Sequence, residues 1–355
     1  MSRIAALAMS VSLAVVLGAC TTAVEPTGDA SSASVPAAPV TLVTYDSYAI
    51  SKSTLREFTR LSGYPVEIVR AGDAAEVVNR ALLTQGTPEG DVLFGLDNNL
   101  LSRVAGTPLF EPYEATGVAE VPGEYRLAPG VTPVDLGDVC VNYDRRWFAD
   151  RSLAVPRTLD DLTRPEYRDL LVVENPATST PGLAFLLASV AEFGPEGFSG
   201  YWQRLKGNGV AVENSWDSAY YRRFSGGSGE GDRPLVVSYA SSPPAEVAFA
   251  DDPTAPAPTG VLVDTCYRQI EYAGLLAGAP NPEGGKALID FMLSDTYQED
   301  LPLSNFVFPV VPGTALPRVF TDHAQVPEEP LSVPPAEVAA GRDEWVSRWT
   351  DIMQR

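Results

Sequence analysis

One histidine, His323, serves the whole chain, and it lies in a proline-rich stretch near the C-terminus, so the body of the protein has no imidazole. Ser/His/Asp catalysis and histidine-bound metal are poor candidates on that ground. Positive charge is scarce too: 25 Lys and Arg against 46 Asp and Glu leave a net charge of −21. A surface that acidic repels phosphate backbones and anionic lipid, which excludes nucleic acid as an expected partner. No G-x-x-x-x-G-K stretch occurs, so the chain carries no P-loop for nucleotide hydrolysis. No short internal repeat stands out, which argues against a solenoid or propeller. Cysteine is limited to Cys20, Cys140 and Cys266.

The N-terminal segment 1–20 reads MSRIAALAMSVSLAVVLGAC: one early positive charge at Arg3, an apolar run short for a bilayer span, and small residues leading into Cys20. This is the pattern of an export signal, with residues 1–19 removed. The LGAC ending resembles a bacterial lipobox, which implies a lipidated Cys20 and a protein held at the outer face of the cell membrane. A plain secretory signal with an incidental cysteine is the alternative. Residues 20–40 are small, polar and proline-bearing, with no apolar period, as a flexible tether would be. Export leaves Cys140 and Cys266 in an oxidising compartment, where a disulfide is the economical reading and two separate buried thiols the alternative.

From residue 40 onward the chain settles into a repeated grammar. VTLVT at 40–44 alternates as a strand, and STLREFTRLSG continues as a helix with Leu55, Phe58 and Leu61 on one face and Gly63 as its stop. YPVEIVR, the helix AAEVVNRALLTQG, DVLFGL and the helix NNLLSRVAG extend it. The pattern resumes with LLVVEN, the GLAFLLASVAEF helix, GVAVE, a SAYYRRF helix and RPLVVSY. Strand alternating with helix predicts two α/β lobes with largely parallel sheets. The lobes are expected at 41–138 with about 267–315, and at about 139–264. A C-terminal extension, 316–355, would dock a helix through Val338, Trp345 and Trp349.

Polar and aromatic residues gather where these strands end. Tyr45 and Asp46 follow the first strand, Asp73 the second, Asp97 and Asn98 the third; Ser179 and Thr180 follow LLVVEN, Trp216 follows GVAVE, and Tyr239, Ser241 and Ser242 follow RPLVV. Carboxyl ends of strands are where open α/β sheets bind ligands, so two such edges imply a cleft between lobes. Taken singly, Asp73 and Asp97 are equally good helix caps and Trp216 a good core residue.

TYDSY at 44, GLDNNLL at 95, TSTPGL at 178, SWDSAY at 215, SYASSP at 238, NFVFPV at 305 and the tail AEVAAGRDEWVSRW together resemble the thiamine-binding receptors of bacterial ABC importers, from about residue 41 to the C-terminus. The resemblance implies a type II periplasmic-binding-protein fold, α/β and two-lobed, with the ligand cleft between lobes. It also implies a monomeric receptor without cofactor or catalysis, serving a membrane permease and its ATPase subunit. Thiamine's thiazolium is a cation with no proton to lose, best held by aromatic faces worth about 0.5–2 kcal/mol each. Tyr45, Trp216, Tyr239 and Phe306 match positions that line or neighbour the family's pocket, with Tyr220, Ser241 and Asn305 beside them. Asp46, Asp73 or Asp97, with Asn98 nearby, would balance the charge, and the turn from Ser179 through Thr180 to Gly182 would take the hydroxyl or phosphate tail.

Departures are also visible: AISKS replaces a tryptophan-bearing loop after TYDS, Ala245 stands where a tyrosine is usual, and Phe306 follows Asn305 where the family has NW. Thiamine, its phosphates or a precursor all fit this chemistry. Two other readings remain: ferric iron held by Tyr220 and the adjacent Tyr221, and a hydrolase using Asp46 and Asp97 as paired carboxylates.

Overall fold

The computed structural model describes residues 37–252 and 254–354; the export signal, Cys20 and most of the tether lie outside the described residues. Among the described residues nine strands form one mixed sheet: β1 (Val40–Thr44), β2 (Val66–Arg70), β3 (Val92–Asp97), β4 (Thr132–Asp144), β5 (Leu171–Glu174), β6 (Ala211–Glu213), β7 (Leu235–Tyr239), β8 (Thr259–Leu275) and β9 (Phe308–Pro309). Their order is β2-β1-β3-β8-β4-β7-β5-β6, with β9 on β4. The outer groups β2-β1-β3 and β7-β5-β6 are internally parallel. Between them run β8 and β4, antiparallel to each other and to their outer neighbours β3 and β7.

These two strands, 17 and 13 residues long, are what the alternation of short strands and helices did not announce. They join the two expected parallel groups into a single sheet. Each serves both halves: β8 pairs with β3 over Glu271 to Leu275, and β4 pairs with β7 over Val139 to Tyr143. Their mutual register slips between Val139 and Val141, and there Cys140 and Cys266 form a disulfide, Sγ–Sγ 2.02 Å. Both cysteines are buried, packed with Ala240 and Val261.

Helices cover the sheet: α1 (Lys52–Ser62), α2 (Ala74–Leu83), α3 (Leu101–Val104), α4 (Arg145–Arg151), α5 (Thr180–Gly207), α6 (Ser242–Ala248), α7 (Pro282–Met292), α8 (Asp295–Ser304), α9 (Arg318–His323) and α10 (Pro335–Gln354). Ser51 caps α1 by accepting from the Thr54 amide, and Gly63 ends it in the left-handed region. The inward face of α1 is Thr54 and Phe58; Leu61, expected to face in, is 60% exposed because the helix turns it to solvent. NNLLSRVAG yields only the four residues of α3, since Asp97 and its neighbours form a turn first. SAYYRRF winds as a π-helical turn, Ser218–Arg223, rather than an α-helix. α5 extends past the expected segment and breaks at Gly194 (φ 75°), just before Pro195.

Val338, Trp345 and Trp349 of α10 are buried, as the sequence predicts. The Trp349 ring meets Trp202 of α5 at 5.6 Å, and Trp202 Nε1 donates to Ser189 Oγ at 2.9 Å. α10 thus packs on α5 and also reaches α3, tying elements from both parallel groups.

Cys140 and Cys266 are separated by 126 positions. On the loop-entropy account a bridge closing that length contributes about 5 kcal/mol. Thiol labelling of the denatured, unreduced protein is expected to leave both positions unreacted, and the Cys140→Ala/Cys266→Ala double variant to lose several kcal/mol in urea unfolding; labelled thiols at both positions would contradict the pairing.

Candidate functional site

The sheet's central strands and the loops at strand ends line a cavity of about 530 Å³, which adjoins a smaller one of about 70 Å³ across shared residues that include Tyr45, Trp216, Tyr239 and Glu271. The size suits an ordinary small-molecule ligand. Its floor is built by period two: β4 contributes Asp135 and Gly137, β8 contributes Gln269 and Glu271.

From the end of β1, Tyr45 lies on this floor. Its hydroxyl donates to Glu271 Oε2 at 2.9 Å and accepts from Asn305 Nδ2 at 2.9 Å. The ring fits against β3 because residue 95 is glycine: a Cβ there would sit 2.5 Å from it. Asn305 also accepts from the Ala49 amide, so it pins the loop after β1 to the end of α8. Asp46 lies at the mouth and accepts from the Gly72 amide at 3.1 Å.

Asp73 caps α2, accepting from the Ala74 amide at 2.7 Å, and reaches across the cleft to the Trp216 amide at 3.3 Å. Burial raises its pKa to about 6, against the pull of the Trp216, Ala74 and Thr180 amides and the Ser179 hydroxyl. Thr180 lines the smaller cavity, and its Oγ1 accepts from Gln269 Nε2 at 3.1 Å. Ser179 is fully buried, and its hydroxyl does not cap α5. Gly182 serves packing: a Cβ would meet the Glu174 carbonyl oxygen at 2.6 Å. Glu174 itself is buried beneath this turn with no hydrogen bond from another residue, and burial pushes its carboxyl well up.

Aromatic faces form the opposite wall. Trp216 stacks on Tyr220 at 5.0 Å and 19°, leans toward Tyr239 at 6.3 Å, and donates from Nε1 to Ser238 Oγ at 2.9 Å. Tyr220 donates to Glu246 Oε1 at 2.7 Å; burial and Glu246 together raise its pKa. Tyr239 rests over Gly137, whose missing side chain makes the space for its ring. At the far edge Ser241 Oγ donates to the Phe306 carbonyl at 2.5 Å, and the Phe306 ring lies between Phe249 at 5.2 Å and Phe320 at 6.3 Å.

Tyr45, Asp46, Asp73, Thr180, Trp216, Tyr220, Tyr239, Ser241, Asn305 and Phe306 therefore all line the cleft. Ser179 and Gly182 are buried beside Thr180 and do not line it. Asp97 and Asn98 do not line it either. The Asp97 carboxylate accepts from the Asn99 and Leu100 amides, Asn99 Nδ2 and Gln269 Nε2, and Asn98 bonds the backbone of β8. Their work is to hold β3 to β8 behind the wall. Asp135, Asp217, Glu246, Phe249, Gln269 and Glu271 line the cleft although strand-end position does not single them out. A signal existed for two of them: Asp135 in VTPVDLG and Glu271 in RQIEYAG are carboxylates embedded in buried strand.

No Lys or Arg lines either cavity among the described residues, whereas Asp46, Asp73, Asp135, Asp217, Glu246 and Glu271 all do. The arginine on β8, Arg268, sits on the opposite face in a bidentate pair with Asp138, at 2.8 and 3.0 Å. Such a cleft attracts a flat, cationic, hydrogen-bonding molecule and repels an anion.

Residues 90–333 match the family described as bacterial extracellular solute-binding protein. A thiamine-binding periplasmic protein of Escherichia coli K12 is 30% identical over 329 residues, 91% of this chain and 96% of that protein. The solved structure of a periplasmic thiamin binding protein superposes with a TM-score of 0.78 at 28% identity, over 89% of this chain and 96% of the other. The ferric binding protein of Campylobacter jejuni shares the fold at a TM-score of 0.69 and 16% identity, over 88% and 99% of the two chains. With a mixed sheet of the type II periplasmic-binding-protein class and a family match across most of its length, the chain belongs to the bacterial extracellular solute-binding proteins.

Proposed function

We propose that this protein captures thiamine outside the membrane and delivers it to the permease of an ABC importer, whose ATPase subunit powers transport. The observation that carries the reading is the composition of the cleft: stacked and tilted rings of Trp216, Tyr220 and Tyr239 opposite a carboxylate-lined floor, with no basic residue in either wall among the described residues. A thiazolium gains from the aromatic faces and from the negative potential, and an aminopyrimidine finds acceptors and hydroxyls around Tyr45, Glu271 and Asn305. The likeness to thiamine-binding periplasmic proteins supports the same ligand.

The wall contacts also argue about the tail. A phosphate at the start of α5 would meet the Asp73 carboxylate, which already receives the Trp216 amide, with no Lys or Arg among the lining residues to offset the repulsion. The receptor is therefore expected to prefer thiamine to its phosphates. Iron is disfavoured by Tyr220, whose hydroxyl is committed to Glu246 and whose raised pKa opposes the tyrosinate a ferric site needs. The hydrolase pair fails on geometry, since Asp97 is spent on the β3 turn and does not face the cleft.

Capture would proceed by closure of two lobes about β4 and β8, with the Cys140–Cys266 bridge fastening the crossing strands. The Asp73 to Trp216 and Ser241 to Phe306 bonds join elements on opposite sides of the cleft and are contacts that closure would make. A lipidated Cys20 and the tether would keep the receptor at the outer face of the membrane.

Isothermal titration tests the reading. Thiamine is expected to bind at micromolar affinity or better and to exceed thiamine diphosphate by about tenfold or more, about 1.4 kcal/mol. No binding of thiamine or its phosphates below millimolar would leave the family and remove the ligand. Trp216→Ala removes the stacked wall and is expected to weaken thiamine by about 2 kcal/mol, read in the same titration, while urea unfolding checks that the fold survives.

A further inference from the structure

Asp135 and Glu271 are direct cross-strand partners on β4 and β8. Like charges placed opposite one another in an antiparallel pair destabilise the sheet. Here both side chains are buried, at 0% and 6% exposure, and both line the cavity. Glu271 has the Tyr45 hydroxyl as a donor, but neither oxygen of Asp135 receives a hydrogen bond from an N–H or hydroxyl group. Only the facing Glu271 carboxyl is placed to bond it, and two carboxyls can do so only through a proton. An unpartnered carboxylate wholly out of water costs several kcal/mol unless it is protonated or meets a cation. The described residues supply no such cation, because Arg268 pairs with Asp138 on the other face and no other basic residue lines the cleft.

We propose that the ligand's positive charge seats on Asp135 and Glu271, and that in the empty cleft the two carboxyls share a proton which the cation displaces. The inference rests on the reading of the ligand as a cation. No bond other than that of the proton is broken: the proton leaves to solvent as both carboxyls ionise against the bound charge.

The groups facing the pair reinforce this. They are Tyr45 after β1, Tyr48 in the following loop, Asp73 at α2, Tyr239 on β7 and Tyr297 on α8, with the charge of Asp97 felt from behind the wall on β3, and none of them is positively charged. Burial first, then the charge of Glu271, pushes Asp135 well up, and burial pushes Glu271 up from 4.5 to about 8. Folding therefore strengthens proton binding at the pair. Its contribution to stability is complete below the ordinary carboxylate range and is lost as pH rises toward about 8.

Two measurements decide the matter. Thiamine is titrated into the protein near pH 7 in two buffers of different ionisation enthalpy, and again from about pH 6 to about pH 8. The expected result is release of about one proton per ligand and an affinity that rises with pH, both lost in Asp135→Asn. Thiamine bound with no proton released, and equally well by Asp135→Asn, would overturn the inference while leaving the ligand intact. Should thiamine not bind, the ligand reading fails, and melting of the empty protein decides the pair. The melting temperature is expected to fall between about pH 5.5 and about pH 8.5, and Asp135→Asn to flatten that fall; a wild-type profile already flat, or one the variant leaves unchanged, would overturn the shared proton.

Discussion

The pairing of β4 with β8 is the constraint on which the rest of the structure depends. These two strands join the parallel groups on either side, bring Asp135, Gly137, Gln269 and Glu271 into one floor by simple alternation, and carry the Cys140–Cys266 bridge where their register slips. A slip of one residue along β4 would exchange Asp135 and Gly137 for their neighbours and turn the floor over. The disulfide and the extensive ladder hold that register firmly. The aromatic wall then needs only to lean on a surface already fixed: Tyr239 fits because Gly137 is beneath it, and Tyr45 fits because Gly95 is.

Much of this is legible in the residues. The outer strands and helices of the first half, from VTLVT through AAEVVNRALL, show their period plainly because each strand is short and each helix is amphipathic. Within each parallel group the βα alternation puts the cleft residues at carboxyl ends, Tyr45 and Asp73 in one and Trp216 and Tyr239 in the other, but the two groups run in opposite directions through the sheet, and the alternation does not say that their ends meet across one cleft. β4 and β8 are harder. TPVDLGDVCVNYD mixes proline, glycine and four acidic or amide groups into a buried strand, and its partner lies over a hundred residues away. Local pattern carries no information about such a pairing.

The same difficulty makes Asp97 resemble a cleft residue. It follows a strand and precedes a helix, as the cleft residues do, but its carboxylate turns back to cap its own loop and hold Gln269. Asp135 and Glu271 stand in the middle of strands, where a carboxylate departs from the apolar pattern and signals that something must compensate it. Two carboxyls buried opposite one another on the cavity floor, at a cost to the sheet, are the observation on which the proposed seat for a cation rests. Glu174 shows the contrast: it is just as buried, yet it lies away from the cavity under the α5 turn.

Under the proposed function, fold and chemistry meet in a demand for positive charge that the residues lining the cleft do not supply. The most direct test compares thiamine with thiochrome, its uncharged tricyclic relative, by titration under one set of conditions. Recognition of charge by the floor calls for thiamine to bind about a hundredfold more tightly, about 2.8 kcal/mol. Equal affinity for the two would show that the rings of Trp216 and Tyr239 select the ligand by shape alone, and would contradict a cation-seeking cleft.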